Sequence, residues 1–358
     1  MKPTQLLHDF GQSLWLDNIT RDLLNSGTMK RYIDELSVTG LTSNPTIFDN
    51  AIRKSSVYDS EIRRLVGQGL GGEALFFELA LQDLRRAADL FAPVFARTAG
   101  VDGFVSLEVS PLLAFDTDKT VAQVKALHAK ADRKNLFIKI PGTQQGVPAI
   151  EEAIFAGIPV NVTLLFSREQ YLASAEAYIR GLERRVAAGL SPDVASVASL
   201  FVSRWDRAVA ARLPVELHNQ LGIAVSRQSY AAYRDLLESD RWQRLANSGA
   251  RAQRFLFAST STKDKAASDL LYIAALAAPN TVNTMPEDTL LALADHGTPG
   301  AAIPRDGGDA EQVLTRLRAA GIDTAALADQ LQTEGAKSFA DSWHELLGAI
   351  ESKSKVLA

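Results

Sequence analysis

Eight short apolar runs, each followed by a longer amphipathic segment, constrain the fold of this chain more than any other feature of its sequence. Runs of this length, bounded by Gly, Pro, Asn or Asp, are typical of buried parallel strands. The eight predicted strands are 14–16, 38–41, 103–109, 136–140, 160–164, 195–202, 255–258 and 281–283. The predicted helices between them include 73–95, 121–131, 147–155, 169–188 and 204–217.

Eight strands that alternate with helices predict an α/β fold, a single (β/α)8 barrel of the TIM type. The alternative is an open, doubly wound sheet, but no GxGxxG motif follows any of the predicted strands. A barrel of this kind needs about 250 residues, and the chain has 358. We therefore expect one domain, 1–358, with extra helices in 50–100 and a helical carboxyl-terminal extension, 286–358, packed on the barrel.

The residues after the last predicted strand contain three predicted helices, 286–294, 310–320 and 324–350. A loop rich in Gly and Pro is predicted at 296–308, and a frayed tail at 352–358. The apolar residues of the last helix form a stripe that must be buried against something. Either these helices only pack on the barrel, or they also cover its mouth and limit the access of water.

Composition excludes several classes of protein. A net charge of −4 and a pI of about 5.8 argue against nucleic acid as a partner. The chain has no cysteine, so disulfides and thiolate metal sites are excluded, and a cytosolic location is compatible. The longest apolar stretch near the end of the chain, 270–278, is far shorter than the roughly 20 residues of a membrane span. The five histidines show no metal-ligand spacing such as HExxH, so we predict no metal.

Lys139 interrupts the apolar run of the segment NLFIKIPGT, 135–143, one residue from the end of the predicted strand. A lysine in such a place is paired, has its tip in water, or takes part in chemistry. Burial disfavours the ammonium form, and a neutral amine can attack a carbonyl to form a Schiff base. The alternatives are a lysine that binds an anion and one that forms an ion pair with a neighbouring strand.

Polar residues lie at the ends of seven predicted strands in succession, and barrel enzymes carry their active sites at the carboxyl ends of strands. The candidate site residues from this pattern are Asp17, Thr42, Asn44, Glu108, Lys139, Asn161, Thr163, Ser199, Phe201, Arg204, Ser259 and Lys263. Structural explanations exist for many of them. Asp17 or Asn44 could cap a helix, and Arg204 could be a solvated helix residue. Glu108 could be the ion-pair partner of Lys139, and the small polar residues of strands five and six could fill the barrel. These explanations do not account for so many polar strand ends in one barrel.

Five of these segments, in their order and spacing, resemble the transaldolase family in its larger bacterial subfamily. They are GLTSNPTIF (40–48), FVSLEVSP (104–111), NLFIKIPGT (135–143), VNVTLLFS (160–167) and ASLFVSRWD (198–206). The resemblance covers about residues 13–285. It implies a cofactor-free (β/α)8 enzyme of the pentose phosphate pathway. The implied reaction moves a dihydroxyacetone unit from sedoheptulose 7-phosphate to glyceraldehyde 3-phosphate, giving erythrose 4-phosphate and fructose 6-phosphate.

The resemblance also implies four catalytic residues. Lys139 matches the family's Schiff-base lysine, and Asp17 matches the acid/base carboxylate near the C3 and C4 hydroxyls of the sugar. Glu108 and Thr163 match the pair that handles a catalytic water. These residue types suit the chemistry, because cleavage beside a ketone needs an electron sink, a base for the hydroxyl proton, and an activated water.

The remaining matches concern substrate binding. The residues implied to bind the substrate are Thr42, Asn44, Asn161, Ser199, Phe201, Arg204, Ser259 and Lys263. Among them, Arg204 and Ser259 match phosphate ligands. The chain departs from the better-known members at Ser261, where they carry a second phosphate-binding arginine. Lys263 is the nearest cation, so we expect it to take that role.

Two other functions remain open on the sequence. A fructose 6-phosphate aldolase would use the same lysine but release dihydroxyacetone to water. Phe201 favours the transferase, because an apolar ring beside the water site resembles the transaldolase pattern, whereas a tyrosine there would favour the aldolase. A non-catalytic barrel that binds sugar phosphates would not need Lys139, Asp17 and Glu108 together. We expect phosphorylated sugars as substrates, a cytoplasmic monomer or homodimer, and no cofactor, nucleic acid or membrane as a partner.

Overall fold

The computed structural model describes residues 2–357 and contains eight parallel strands, one for each predicted run. The strands are β1 Gln12–Asp17, β2 Val38–Thr42, β3 Val105–Glu108, β4 Leu136–Pro141, β5 Val160–Leu165, β6 Ser196–Phe201, β7 Gln253–Ala258 and β8 Thr281–Met285. Nearly all of their residues are buried, as expected for strands covered by side chains inside the barrel and by helices outside it.

The strands form a closed barrel and not an open sheet. Their order is β2-β1-β8-β7-β6-β5-β4-β3, and every adjacent pair is parallel. Two backbone hydrogen bonds join the ends of this order. The amide of Leu41 donates to the carbonyl of Phe104 at 3.0 Å, and the amide of Gly103 donates to the carbonyl of Thr39 at 2.8 Å. The prediction of a (β/α)8 barrel is confirmed, and the doubly wound alternative is wrong.

Helices surround the barrel and occupy the predicted segments. They are α1 Pro3–Asp9, α2 Arg21–Asn25, α3 Thr28–Leu36, α4 Pro45–Lys54, α5 Asp59–Gly67, α6 Gly72–Arg97, α7 Thr117–Ala131, α8 Gly146–Phe155, α9 Arg168–Ala187, α10 Ser203–Val209, α11 Leu221–Glu238, α12 Asp240–Asn247, α13 Leu271–Ala275, α14 Glu287–His296, α15 Ala310–Ala319 and α16 Thr324–Leu357. Within residues 2–357, none of these helices is long and apolar enough to cross a membrane.

Two predictions about helices are wrong. The helix predicted over 204–217 ends at Val209 and is followed by two short 3-10 turns. Pro214 explains this, because proline lacks an amide donor and disfavours helical geometry in the residue before it. The tail predicted to fray from 352 continues α16 as far as Leu357. Lys353 anchors it by an ion pair of 2.6 Å with Asp59, a contact that no local pattern predicts. Residue 358 lies outside the described residues.

The helices α15 and α16 follow the last strand, and α16 packs across the barrel against α4, α5, α6 and β5. Trp343 of α16 is buried, with its ring centroid 4.9 Å from that of Phe76 and 5.6 Å from that of Phe77, both on α6. Phe339, one turn earlier on α16, lies over the carboxyl ends of the strands and lines the cavity there. The extension therefore shares the core of the barrel and also contributes a side chain to its mouth.

Candidate active site

A cavity of about 150 Å³ opens at the carboxyl ends of the strands. All of the predicted site residues line it except Glu108 and Asn161. These two lie in the same row of the barrel as Lys139. The register pairs Glu108 of β3 with Lys139 of β4, and Lys139 with Asn161 of β5. Because paired residues of parallel strands share a face, the three side chains lie next to one another, with Lys139 facing the cavity.

Lys139 is almost completely buried, with 5% of its surface exposed. Its Nζ donates a hydrogen bond of 2.9 Å to the backbone carbonyl of Ser43 and lies 3.3 Å from Oε2 of Glu108. The ion pair that the sequence offered as an alternative is therefore present. It does not exclude a chemical role, because the same lysine also faces the cavity.

Glu108 and Thr163 are buried polar groups with few partners. Within the described part of the chain, Oε1 of Glu108 and the hydroxyl of Thr163 have no hydrogen bond, and Oε2 of Glu108 has only the 3.3 Å contact with Nζ of Lys139. Burial raises the pKa of Glu108, and the charge of Lys139 opposes that rise. Leaving buried polar atoms unpaired costs stability, typically 1–3 kcal/mol for each group. Because Thr163 lines the cavity and Glu108 lies beside it, water or a ligand there can complete their hydrogen bonds.

Asp17 ends β1 and also lines the cavity. Its Oδ1 accepts a hydrogen bond of 2.7 Å from the hydroxyl of Thr42, which lies 2.7 Å from the hydroxyl of Thr284. Burial raises the pKa of Asp17, and Lys139, Thr42 and Arg204 oppose the rise, in that order. A carboxyl group with a raised pKa is suited to accept and return a proton near neutral pH.

Asn161 does not reach the cavity and instead supports it from below. Its Oδ1 accepts a hydrogen bond of 2.8 Å from Ser199, and its Nδ2 donates to Ser106 at 3.1 Å. Asn44 lines the cavity but also caps α4, since its Oδ1 accepts a hydrogen bond of 3.1 Å from the amide of Ile47. The capping role that the sequence suggested for Asn44 is therefore present together with its place in the site.

Cationic and hydroxyl groups gather at the end of the cavity formed by β6 and by the residues after β7. Arg204, in the first turn of α10, has its Cζ 4.9 Å from the ring centroid of Phe201. Ser259 has the left-handed φ of 56° and its hydroxyl lies 2.9 Å from that of Ser203. Lys263 also reaches this end of the cavity, where its Nζ donates to the hydroxyl of Ser261 at 3.0 Å.

Four residues at the site are absent from the set of predicted site residues. Ser261, Thr284 and Phe339 line the cavity, and Ser43 accepts the hydrogen bond from Lys139. Thr284 could have been found, because it is a polar residue near the end of β8, as on the other strands. Phe339 could not be singled out, because no strand end marks it, although the sequence leaves open that its helix covers the mouth.

Fold and site together define a (β/α)8 barrel enzyme whose candidate site lies at the carboxyl ends of its strands. Among residues 2–357, no group of three or more His, Cys, Asp or Glu side chains is arranged to hold a metal ion.

Comparisons with known proteins identify the family. The family model for Transaldolase/Fructose-6-phosphate aldolase matches residues 14–350. A transaldolase of Parafrankia sp. (strain EAN1pec) is 45% identical over 362 residues, which cover 98% of each chain. A transaldolase of Thermobifida fusca is 44% identical over 97% of each chain, and transaldolase 2 of Nostoc sp. is 38% identical over 98% of this chain and 97% of its own. The chain belongs to the transaldolase/fructose-6-phosphate aldolase family, and the resemblance read from its motifs is confirmed.

Proposed function

We propose that Lys139 carries out the transaldolase reaction in this protein through a Schiff base with the ketone of a donor sugar. Transaldolase activity, a transferase activity, follows from the family and from relatives of that name over almost the whole chain. The donor is sedoheptulose 7-phosphate and the acceptor glyceraldehyde 3-phosphate. The products are erythrose 4-phosphate and fructose 6-phosphate. The observation that carries the proposal is a buried lysine that faces the cavity beside a carboxyl group 3.3 Å away.

The first step is formation of the imine. The neutral amine of Lys139 attacks the C2 carbonyl of the donor, and the carbonyl oxygen leaves as water. Glu108 is close enough to Nζ to take the proton that the ammonium must lose. Its raised pKa suits that exchange. The unpaired hydroxyl of Thr163 and the oxygens of Glu108 provide the polar groups that a water molecule needs for formation and hydrolysis of the imine.

The second step is cleavage and transfer. The protonated imine withdraws electrons while Asp17 takes the proton of the C4 hydroxyl, so the bond between C3 and C4 breaks and the aldehyde product leaves. The enamine on Lys139 then attacks the acceptor aldehyde, and Asp17 returns the proton to the new hydroxyl. The hydrogen bond from Thr42 orients the carboxylate for both transfers.

The phosphate is bound at the far end of the cavity in this proposal. Arg204 supplies a fixed positive charge, and Ser259 and Ser261 supply hydroxyl donors. Lys263 takes the place of the second arginine found in better-known members, since its ammonium group lies beside Ser261 and reaches the cavity. A lysine acts there as a point charge and cannot form the bidentate contact of an arginine.

The fructose 6-phosphate aldolase alternative is not favoured. The relatives with full-length similarity are named transaldolases. Phe201 presents a ring with no hydroxyl to the cavity, and it packs with its centroid 5.4 Å from that of Phe166. An apolar ring at this place gives no additional donor for activation of the water that would release free dihydroxyacetone.

We further propose that 1–358 form a single domain, with 286–358 as an extension packed on the barrel. The burial of Trp343 against α6 supports this. A cytoplasmic monomer or homodimer completes the proposal, since a chain without cysteine suits a reducing compartment.

Trapping of the imine tests the proposal. The protein is incubated with fructose 6-phosphate, reduced with borohydride and digested, and the peptides are analysed by mass. A three-carbon adduct is expected on the peptide that contains Lys139 and is expected to be absent from Lys139→Ala. An adduct on another lysine that persists in Lys139→Ala, or no adduct from a protein that is active, would contradict the proposed chemistry.

A further inference from the structure

Arg204 is a half-buried cation without a protein partner. It makes no hydrogen bond or ion pair with any residue from 2 to 357, and burial lowers its pKa. A guanidinium nevertheless keeps its charge in proteins. A long side chain without a hydrogen bond also keeps much of its rotamer freedom. If Arg204 binds phosphate, contacts other than hydrogen bonds must therefore hold its guanidinium in place.

Two aromatic rings approach this guanidinium. The Cζ of Arg204 lies 4.9 Å from the ring centroid of Phe201 on β6 and 5.7 Å from that of Phe339 on α16. Both distances are within the roughly 6 Å at which a cation is attracted to a ring face. Phe201 is two residues before the start of α10, but Phe339 comes from the carboxyl-terminal helix.

The backbone of α16 also comes close to Arg204 at Gly335. A Cβ atom at this position would lie 3.1 Å from Nη1 of Arg204 and 3.0 Å from Cδ2 of Leu164. Both contacts are tighter than side chains normally accept. Glycine thus lets the helix approach the guanidinium directly.

The side chain of Gln332 holds α16 in this position. Its Nε2 donates to the carbonyl of Gly142 at 3.0 Å and to that of Leu164 at 2.9 Å. Leu164 has a left-handed φ of 58°, at an irregularity of β5 that leaves its carbonyl free for this bond. Gln332, Gly335 and Phe339 lie on one face of α16, because residues three, four and seven apart share a helix face.

We propose that this face of α16, formed by Gln332, Gly335 and Phe339, positions Arg204 for the phosphate of the substrate. The carboxyl-terminal helix is thereby a determinant of specificity for phosphorylated over unphosphorylated sugars. The inference rests on the proposed role of Arg204 as a phosphate ligand. These three are positioning residues, since they act through Arg204 and not on the reacting carbons.

Phe339→Leu tests the inference, because leucine keeps an apolar side chain but removes the ring. The KM for fructose 6-phosphate and for erythrose 4-phosphate is expected to rise about fivefold, the equivalent of about 1 kcal/mol of cation–π attraction. The kcat and the rate at which borohydride traps unphosphorylated dihydroxyacetone on Lys139 are expected to stay close to those of the wild type. Lys337→Ala, an exposed position on the same helix, is the matched control and is expected to change neither.

Gly335→Ala separates this role from a structural one. Alanine favours a helix over glycine, so the melting temperature is not expected to fall. The added methyl group displaces the flexible end of Arg204, so the KM for phosphorylated sugars is expected to rise while dihydroxyacetone trapping is unchanged. A lower melting temperature with an equal loss for both kinds of substrate would overturn the inference.

A double-mutant cycle with Arg204→Ala distinguishes this inference from the proposed function. Arg204→Ala is expected to weaken the binding of phosphorylated sugars selectively. In that background Phe339→Leu is expected to weaken it no further. A full additional effect of Phe339→Leu in the absence of Arg204 would overturn the inference alone. If Arg204→Ala weakens the binding of dihydroxyacetone equally, Arg204 is not a phosphate ligand, and the inference fails with that role.

Discussion

The two ends of the barrel interior are both polar, but the polar side chains named below are paired more completely at the amino ends of the strands than at the carboxyl ends. At the amino ends of the strands, Asp102 accepts hydrogen bonds from Trp15 at 2.7 Å and from the hydroxyl of Ser13. Arg254 lies 3.7 Å from the same carboxylate and also donates to Ser13 and to the carbonyl of Thr281. These groups satisfy one another and link β1, β7 and β8, although Oε1 of Gln12 and Oε1 of Gln253 at the same end have no hydrogen bond.

The carboxyl ends show the opposite arrangement. Thr163 keeps a buried hydroxyl without a hydrogen bond, the carboxylate of Glu108 has Lys139 as its one partner, and Arg204 has no ion pair within 2–357. Polar side chains inside a barrel therefore do not by themselves mark a site. At the carboxyl ends the incompletely paired groups lie at or beside a cavity, where a ligand or water can supply the missing partner and recover the cost.

Asp102→Ala tests the amino end and has the largest expected effect. It leaves Arg254, Trp15 and Ser13 without their shared acceptor, and breaking a buried ion pair in this way costs about 3 kcal/mol or more. The free energy of unfolding, measured by urea denaturation, is expected to fall by that amount. Asp102→Asn keeps an acceptor oxygen and is expected to lose less. The kcat for each folded molecule is expected to be unchanged in both, and a loss of kcat without a loss of stability would show that Asp102 serves catalysis and not the fold.

Substitutions at the carboxyl ends of the strands are expected to lower activity and to leave stability largely unchanged. Asp17→Asn is expected to lose cleavage by about 10²-fold or more while the imine still forms. Glu108→Gln is expected to slow imine formation itself by a similar factor, since proton and water handling precede it. The rates of borohydride trapping and of product formation, measured separately, distinguish the two. If both variants trap substrate at the wild-type rate, this division of roles is wrong.

The pH dependence of activity follows from the raised pKa of Asp17. The base must be ionised, so kcat/KM is expected to fall on the acid side at a higher pH than an ordinary aspartate would give. A carboxyl with a raised pKa binds its proton more tightly in the folded state, so its contribution to stability falls as pH rises from the unfolded to the folded pKa. Asp17→Asn is therefore expected to be at least as stable as the wild type near neutral pH. An acid limb at the ordinary pKa of aspartate would argue that Asp17 is not the base.

Lys263→Ala tests the more exposed of the two cations at the site, since this lysine is exposed and Arg204 is half-buried. The KM for phosphorylated sugars is expected to rise by only a few-fold, and the difference from the wild type is expected to shrink as salt is added. Lys265→Ala, in the same loop but not in the cavity, is the control. An effect of Lys263→Ala that persists at high salt would place this lysine in direct, well-buried contact with the phosphate.

A change in the access of water to the site, which α16 is hypothesised to limit, is expected to have only a small effect on product release. Truncation before α15 and α16 is not a clean test, because it would remove Trp343 from the core. Phe339→Ala instead opens the mouth of the cavity while leaving that core in place. The amount of free dihydroxyacetone released per transfer event is expected to rise slightly, because water reaches the enamine and imine more easily. An unchanged ratio would leave Phe339 with its contact to Arg204 alone.

The eight strands and most of the cavity lining could be predicted from the sequence because both depend on local patterns. A short apolar run is visible wherever it occurs, and a polar residue at its carboxyl end stands out from it. The strand that contains Lys139 and the strand that ends at Asp17 were predicted in this way. The closed barrel followed from the number and alternation of these elements.

The tertiary structure decided which of these polar residues have partners. Asn161 faces the same row as Lys139 but is held by Ser106 and Ser199, while Thr163, two residues further on, has an unpaired hydroxyl. Tertiary packing also places α16 over the mouth, where Phe339 contacts Arg204. The end of that helix forms an ion pair with Asp59. Each of these contacts joins residues far apart in the chain. Periodicity reports only which face of an element is apolar, so the partner that covers that face is decided by packing.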